Sequence, residues 1–237
     1  MTPVFILVRP QLAENVGTAA RAMMNCALAE MRLVDPDEDP LCSRAIAASS
    51  GADEILRNAK IFKTVEEAVA DLQKVYATTG RPRDMIKPVF TGQGMAKDIQ
   101  ARQAQGIKCG VMFGPERTGL ENEDVAYADA IVNIPLNPKH CSLNLAQAVL
   151  LTGYEIFRLT DSTAEEYLAT PNTVPADKTE LEHLFTHLED ELEQVGYFRS
   201  PEKKPRMMRN LRSIFLRADF TSQDVRTLHG VITDLRR

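Results

Sequence analysis

Short, mainly apolar runs alternate with amphipathic stretches over the first two thirds of the chain. Val4-Phe5-Ile6-Leu7-Val8 has no polar position at all, which is the signature of a strand covered on both faces rather than one. Met31–Val34 is a second run, closed by Asp35-Pro36, and residues 61–62, 75–78, 107–113 and 130–134 are further short runs. Helical spacing predicts helices over residues 14–27, 65–72, 95–105 and 143 to about 159. In the last of these Leu145, Val149, Thr152 and Ile156 share one face, and Ser142 stands where an N-cap is expected. Strands alternating with helices in this way predict an α/β domain, a parallel sheet with helices on both faces.

The pattern changes at Thr160. Pro171, Pro175 and small polar residues interrupt any periodicity, so residues 160–176 read as a linker. Beyond it, Leu181, Leu184, Phe185, Leu188, Leu192 and Val195 recur at helical spacing, with Gly196 as the stop. Met207, Leu211, Ile214 and Phe215 mark a second helix, and Thr221-Ser-Gln-Asp224 has the form of a capping box opening a third. The chain thus divides into a domain over residues 1–159, the linker, and a small all-helical extension over 177–237.

Composition narrows this only slightly. A chain of 237 residues, 44% hydrophobic and 26% charged, can bury a sizeable core and hold one medium domain with an appendage. The apolar run at residues 4–8 is too short for a signal peptide or a membrane span, so a cytoplasmic location and no membrane partner are expected. Cys26, Cys42, Cys109 and Cys141 are scattered, a spacing that suggests neither a zinc site nor a disulfide framework. The net charge of −5 speaks mildly against a nucleic-acid partner, but its distribution speaks the other way. Residues 161–196 carry ten Asp or Glu against Lys178 alone, whereas residues 197–237 carry ten Lys or Arg against four acids. Such a basic segment suits phosphates, or equally the acidic helix of its own or a second chain.

Two loops carry the candidate chemistry. Gly110-Val-Met-Phe-Gly-Pro-Glu-Arg-Thr-Gly-Leu120 takes a strand straight into a loop with glycines at 114 and 119. After one more strand, Ile134-Pro-Leu-Asn-Pro-Lys-His-Cys-Ser-Leu-Asn-Leu-Ala-Gln-Ala148 is a Pro-rich loop ending at a helix start. Neighbouring loops at the carboxyl ends of parallel strands are where an α/β sheet usually binds a small ligand.

Together with Asn15-Val-Gly-Thr-Ala-Ala-Arg21, these segments resemble the three motifs of the SPOUT RNA methyltransferases, in the TrmJ branch of the TrmH-type group. The resemblance extends to Leu33-Val-Asp-Pro36, Ala47-Ala-Ser-Ser-Gly-Ala52, Asn58-Ala59 and the helical extension. It implies an α/β-knot domain with a deep trefoil knot near the third motif, dimerised so that the active site lies at the subunit interface. It also implies a reaction: methyl transfer from S-adenosylmethionine, without metal, to a ribose 2′-hydroxyl of tRNA rather than DNA, at nucleotide 32 of the anticodon loop. Alternatives are the same reaction at another tRNA or rRNA position, or a catalytically silent RNA-binding protein. By the same resemblance the cofactor lies against Thr79, Gly80, Arg81, Phe113, Gly114, Glu116, Ile134, Leu136, Cys141, Ser142 and Leu143. Arg21, Asn15, Glu116, Ser142 and Asn144 fall on catalytic positions.

Physical chemistry qualifies several of these roles. A guanidinium stays protonated far above neutral pH, so Arg21 suits bidentate gripping of a phosphate at least as well as proton acceptance. Asn15 and Glu14 open a helix, and capping explains them as well as substrate contact does. Glu116 and Arg117 face cofactor and RNA in the family, with pairing between neighbouring charged loops as the alternative. Cys141 departs from the family's Ser-Ser-Leu-Asn, an exchange that a backbone contact to cofactor survives. His183 and His187 have the i, i+4 spacing of a metal pair, but a solvated helix face is the simpler reading.

Overall fold

The computed structural model describes residues 2–80, 85–166 and 172–235. Seven strands, β1 (Val4–Val8), β2 (Met31–Val34), β3 (Lys60–Phe62), β4 (Lys74–Thr78), β5 (Val89–Phe90), β6 (Cys109–Phe113) and β7 (Ala130–Val132), form one sheet in the order β3-β2-β1-β6-β4-β7-β5. Every pairing is parallel. Side chains alternate across a strand, and each apolar run therefore feeds two cores. Phe5 and Leu7 of β1 point into one, Val4, Ile6 and Val8 into the other.

The first core lies beneath α1 (Ala13–Asn25), α2 (Ser43–Ser49), α3 (Asp53–Arg57), α5 (Gly92–Gln103) and α7 (Leu145–Phe157); the second lies beneath α4 (Val65–Val69) and α6 (Asn122–Ala126). Small residues let α1 sit close to its neighbours. A Cβ on Gly17 would fall 2.1 Å from the carbonyl oxygen of Ala45, so α2 can approach this helix only across a glycine. Arg32 is the exception to the apolar rule in β2, being 2% exposed. Its guanidinium donates to the Ala68 carbonyl, Glu30 and Asp71, the full satisfaction that a buried charge requires.

Two features of the α/β domain differ from the sequence expectation. Helix α7 begins at Leu145 and its cap is Asn144, not Ser142. The Asn144 side chain accepts from Ala146 N at 2.8 Å while Gln147 Oε1 accepts from Asn144 N at 3.0 Å, and this reciprocal box outcompetes a hydroxyl two residues earlier. Helices α2, α3 and α6 and the edge strand β5 were not foreseen, because each is too short to show a period. No helix among the described residues is long and apolar enough to cross a membrane.

The chain divides into two compact units, residues 1–163 and 164–237. In the second, α8 (Lys178–Gln194), α9 (Lys204–Leu216) and α10 (Ser222–Leu235) follow one another. Leu181, Leu184, Phe185 and Val225 form its core, joined by Phe215, Phe220 and Leu228. The last part of the expected linker belongs to this unit: Ala176 N donates to Phe220 O at 2.8 Å and Ser222 N to Val174 O at 2.9 Å. The foreseen box is present, with Thr221 N and Oγ1 both donating to Asp224.

Candidate active site

Strands β4, β6 and β7 are neighbours in the sheet, so the loops leaving their carboxyl ends meet. Between them lies a cavity of about 460 Å³, within the range of sites for one small organic ligand. Its wall includes Thr79 and Gly80 after β4, Phe113, Gly114 and Glu116 after β6, and Ile134, Leu136, Cys141, Ser142 and Leu143 after β7. Ten of the eleven residues expected to hold the cofactor are thus brought together. The eleventh, Arg81, lies outside the described residues. Thr78, Val132 and Asn133 also line the cavity without having been expected from sequence to touch the cofactor.

Gly114 explains why the second motif can form this wall. The loop doubles back so tightly that a Cβ at 114 would lie 2.1 Å from Leu120 N and 2.3 Å from Gly119 C. Gly119 N donates to Pro115 O at 2.8 Å, and Gly119 takes φ +68°, where glycine carries no Cβ penalty. Opposite, Thr78 Oγ1 donates to Met112 O at 2.8 Å and ties the end of β4 to β6.

A line of hydrogen-bonded polar groups starts from Glu116 on the cavity wall. Glu116 Oε2 accepts from Gln11 N at 3.1 Å, and Glu116 Oε1 accepts from Asn15 Nδ2 at 2.6 Å. Asn15 Oδ1 then accepts from Asn144 Nδ2 at 2.9 Å. A carboxylate only accepts, so Glu116 fixes which way the Asn15 amide faces, and Asn15 with the start of α7 fixes Asn144. Motifs from three separate parts of the sequence therefore meet in one hydrogen-bonded chain. Asn15 does not cap α1; Leu12 holds that position, without a side-chain cap.

Arg21 stands apart from this line. Six residues beyond Asn15 it has risen about 9 Å along α1 and turned about 240°, and its side chain is exposed. Arg117, on the cavity wall, is also exposed. In the second unit, His187 does not pair with His183. Its Nδ1 lies 2.8 Å from Nδ1 of His229 on α10, a partner that spacing within α8 gave no means of finding. Among the described residues no group of three or more His, Cys, Asp or Glu is arranged to hold a metal ion. Of the four thiols, Cys26 and Cys109 are buried and burial pushes both up, whereas Cys141 is exposed on the cavity wall.

An all-parallel sheet with a cavity between these three loops is an α/β domain built to hold a small ligand at the carboxyl ends of its strands. Residues 2–154 match the model of the SpoU rRNA Methylase family, and residues 179–237 match the C-terminal domain of the tRNA methyltransferase TrmJ. The chain belongs to the SpoU methylase family, in its TrmJ branch. It is 34% identical over 238 residues to the tRNA (cytidine/uridine-2′-O-)-methyltransferase TrmJ of Escherichia coli O6:K15:H31, covering 98% of this chain and 94% of that one. With the protein of the same name from Yersinia enterocolitica it shares 32% identity over 235 residues, 98% of this chain and 90% of that one. The crystal structure of TrmJ from Z. mobilis ZM4 is similar over the full length of both chains, with 43% identity and a TM-score of 0.84.

Proposed function

We propose that this chain transfers a methyl group from S-adenosylmethionine to the 2′-hydroxyl of a cytidine or uridine in tRNA, at nucleotide 32 of the anticodon loop, acting as a cytoplasmic homodimer. One observation carries the reading: the Glu116–Asn15–Asn144 chain borders a cavity large enough for one cofactor. The names of the relatives in E. coli and Y. enterocolitica support tRNA and the two pyrimidines.

The cavity fits the cofactor. Phe113, Ile134, Leu136 and Leu143 offer apolar surface, and the ends of three strands offer backbone donors and acceptors to an adenine edge. S-adenosylmethionine supplies a methyl group on a sulfonium centre. The chain's own contribution is to hold the ribose oxygen in line and to manage its proton. Asn144 and Ser142, at the start of α7 and on the wall, orient the hydroxyl, while Glu116 keeps Asn15 turned toward Asn144. Arg21 grips the substrate phosphate beside the target ribose.

Because Arg21 faces away from its own Asn15, it serves the partner subunit's cavity. Leu12 and Met24 on the α1 side, and Leu150, Leu151 and Tyr154 on α7, are 38–51% exposed, and α1 and α7 pack side by side. That apolar surface supports a two-fold interface. The helical extension adds phosphate contacts through Lys203, Arg206, Arg209 and Arg217, all exposed. Mapping ribose methylation in tRNA from cells with and without the protein tests the whole reading. Loss of methylation at position 32 alone is expected, loss at another nucleotide moves the site, and an unchanged map refutes the activity.

A further inference from the structure

We infer that Arg9 is a positioning residue for the cofactor cavity, acting through Asp124. The inference rests on the proposed cavity, and its starting point is the turn after β1. Arg9 takes φ +45°, the left-handed region that side chains other than Gly, Asn and Asp rarely adopt. The turn itself needs only a backbone amide, Arg9 N, which donates to Val34 O at 2.8 Å. Glycine or asparagine would take this conformation more readily, so the arginine side chain is retained against backbone preference.

That side chain reaches 115 residues along the chain to Asp124, with Nη2 donating to Oδ2 at 2.5 Å. The Asp124 side chain is 6% exposed, and Glu121 Oε2 lies 3.7 Å from the same nitrogen. Asp124 also accepts from Glu121 N at 2.8 Å, closing the cap of α6. Arg9 therefore seats the first turn of α6, at whose cap, Glu121, the loop from Gly114 ends. Gln11 N and Asn15 hold the same loop near its beginning, at Glu116. Arg117, Thr118 and Gly119, which line the cavity, lie between Glu116 and Leu120, which is buried in the second core just before the α6 cap that Arg9 holds. Releasing the Asp124 anchor leaves Glu116 in place but lets this part of the wall move. A buried charge that loses its partner does not stay where it was.

The measurement is calorimetric titration of the full-length protein with S-adenosylhomocysteine, well below the melting temperature, alongside thermal unfolding. Arg9→Met should weaken binding about tenfold, with Arg9→Lys recovering most of the loss because the charge and its reach remain. Asp124→Asn should resemble Arg9→Met, and the double variant should be no weaker than either single one, since both remove one anchor. If Arg9→Met does not fold, Asp124→Asn, which keeps an oxygen for the α6 cap, carries the same expectation. A melting temperature that falls while folded Arg9→Met binds as tightly as wild type would make the pair purely structural and overturn the inference. So would a lysine variant as weak as the methionine one. Gly114→Val serves as the control for the cavity. If it binds normally, the cavity is misassigned and the inference falls with it; if it alone is weakened, only the Arg9 anchor is wrong.

Discussion

Substituting alanine for Gly114 is the smallest change that tests the cavity. The added Cβ would sit 2.1 Å from Leu120 N and 2.3 Å from Gly119 C. These are backbone atoms of the same loop, with no flexible side chain to swing aside. The loop must open by about 0.9 Å merely to restore 3.0 Å, a separation below which real Cβ atoms are essentially never found. Overpacking of this kind costs about 1–3 kcal/mol, which for a chain of this size lowers the melting temperature by roughly 2–10 °C. The wall also shifts by close to an ångström, and a misplacement of that order lowers affinity or rate by about 10–100-fold. Titration of S-adenosylhomocysteine, with scanning calorimetry on the same sample, reads both effects. Wild-type affinity together with an unchanged melting temperature would refute the reasoning, because the tight turn at Gly114 would then not be part of the binding-competent protein.

Arg21→Lys should weaken tRNA binding while sparing part of the turnover, as expected when bidentate grip is lost and charge is kept; separate measurement of KM and kcat checks it, and full activity of both Arg21→Lys and Arg21→Ala would remove Arg21 from the mechanism. Mixing Arg21→Ala chains with Gly114→Val chains should restore activity in heterodimers verified by mass, and no recovery would place each site within one subunit. Changing Lys203, Arg206, Arg209 and Arg217 to Gln should lower tRNA affinity and reduce the salt slope by roughly three, whereas Arg212→Gln should chiefly lower the melting temperature of the extension. Burial, with His187 and His183 nearby, holds His229 below its usual value. The unfolded chain therefore takes up protons more readily, so stability present above about pH 6.5 is lost as pH falls through that value. Unfolding curves between pH 5 and 8 should show this for the second unit and lose it in His229→Gln; a gain of stability on acidification would reverse the sign.

Legibility in the sequence followed the length of each signal. Strands β1 and β6 were plain because a strand buried on both faces has no polar position to disguise it, and β2 stayed legible around Arg32, whose principal partner Asp71 lies 39 residues away. Helices α2, α3 and α6 have five to seven residues, fewer than two full turns, and leave no periodicity to read. At the site, the glycine loops and Asn144 carried their own spacing. The contacts that give them direction did not: Gln11 acts through a backbone amide that any residue but proline possesses, and Arg9 and Asp124 meet only because β1 and β6 are adjacent. Ser142 was misread as a cap because the sequence presents two candidates two residues apart. The bond that Asn144 accepts from Ala146 N and the return bond to Gln147 decide for Asn144.

The charge asymmetry of the extension left two readings open, phosphate binding or pairing with the acidic helix, and α9 commits only part of its cations to the second. Lys204 reaches Glu189 and Glu193 at 3.0 and 2.6 Å, and Arg212 grips Glu182 of α8 while its guanidinium lies 4.8 Å over the Phe185 ring. These two positions share the side of the helix that carries the buried Met208 and also Phe215, the latter packed against Phe185 of the α8 core. Lys203, Arg206, Arg209 and Arg217 recur at intervals of three, three and eight, a single stripe on the other side. Exposed ion pairs of the first kind contribute little each, so the acidic helix does not account for the whole basic segment. The cations left on the outer stripe cost stability through mutual repulsion unless something anionic meets them, and a polyanion the length of a tRNA stem is of the right charge and extent to do so.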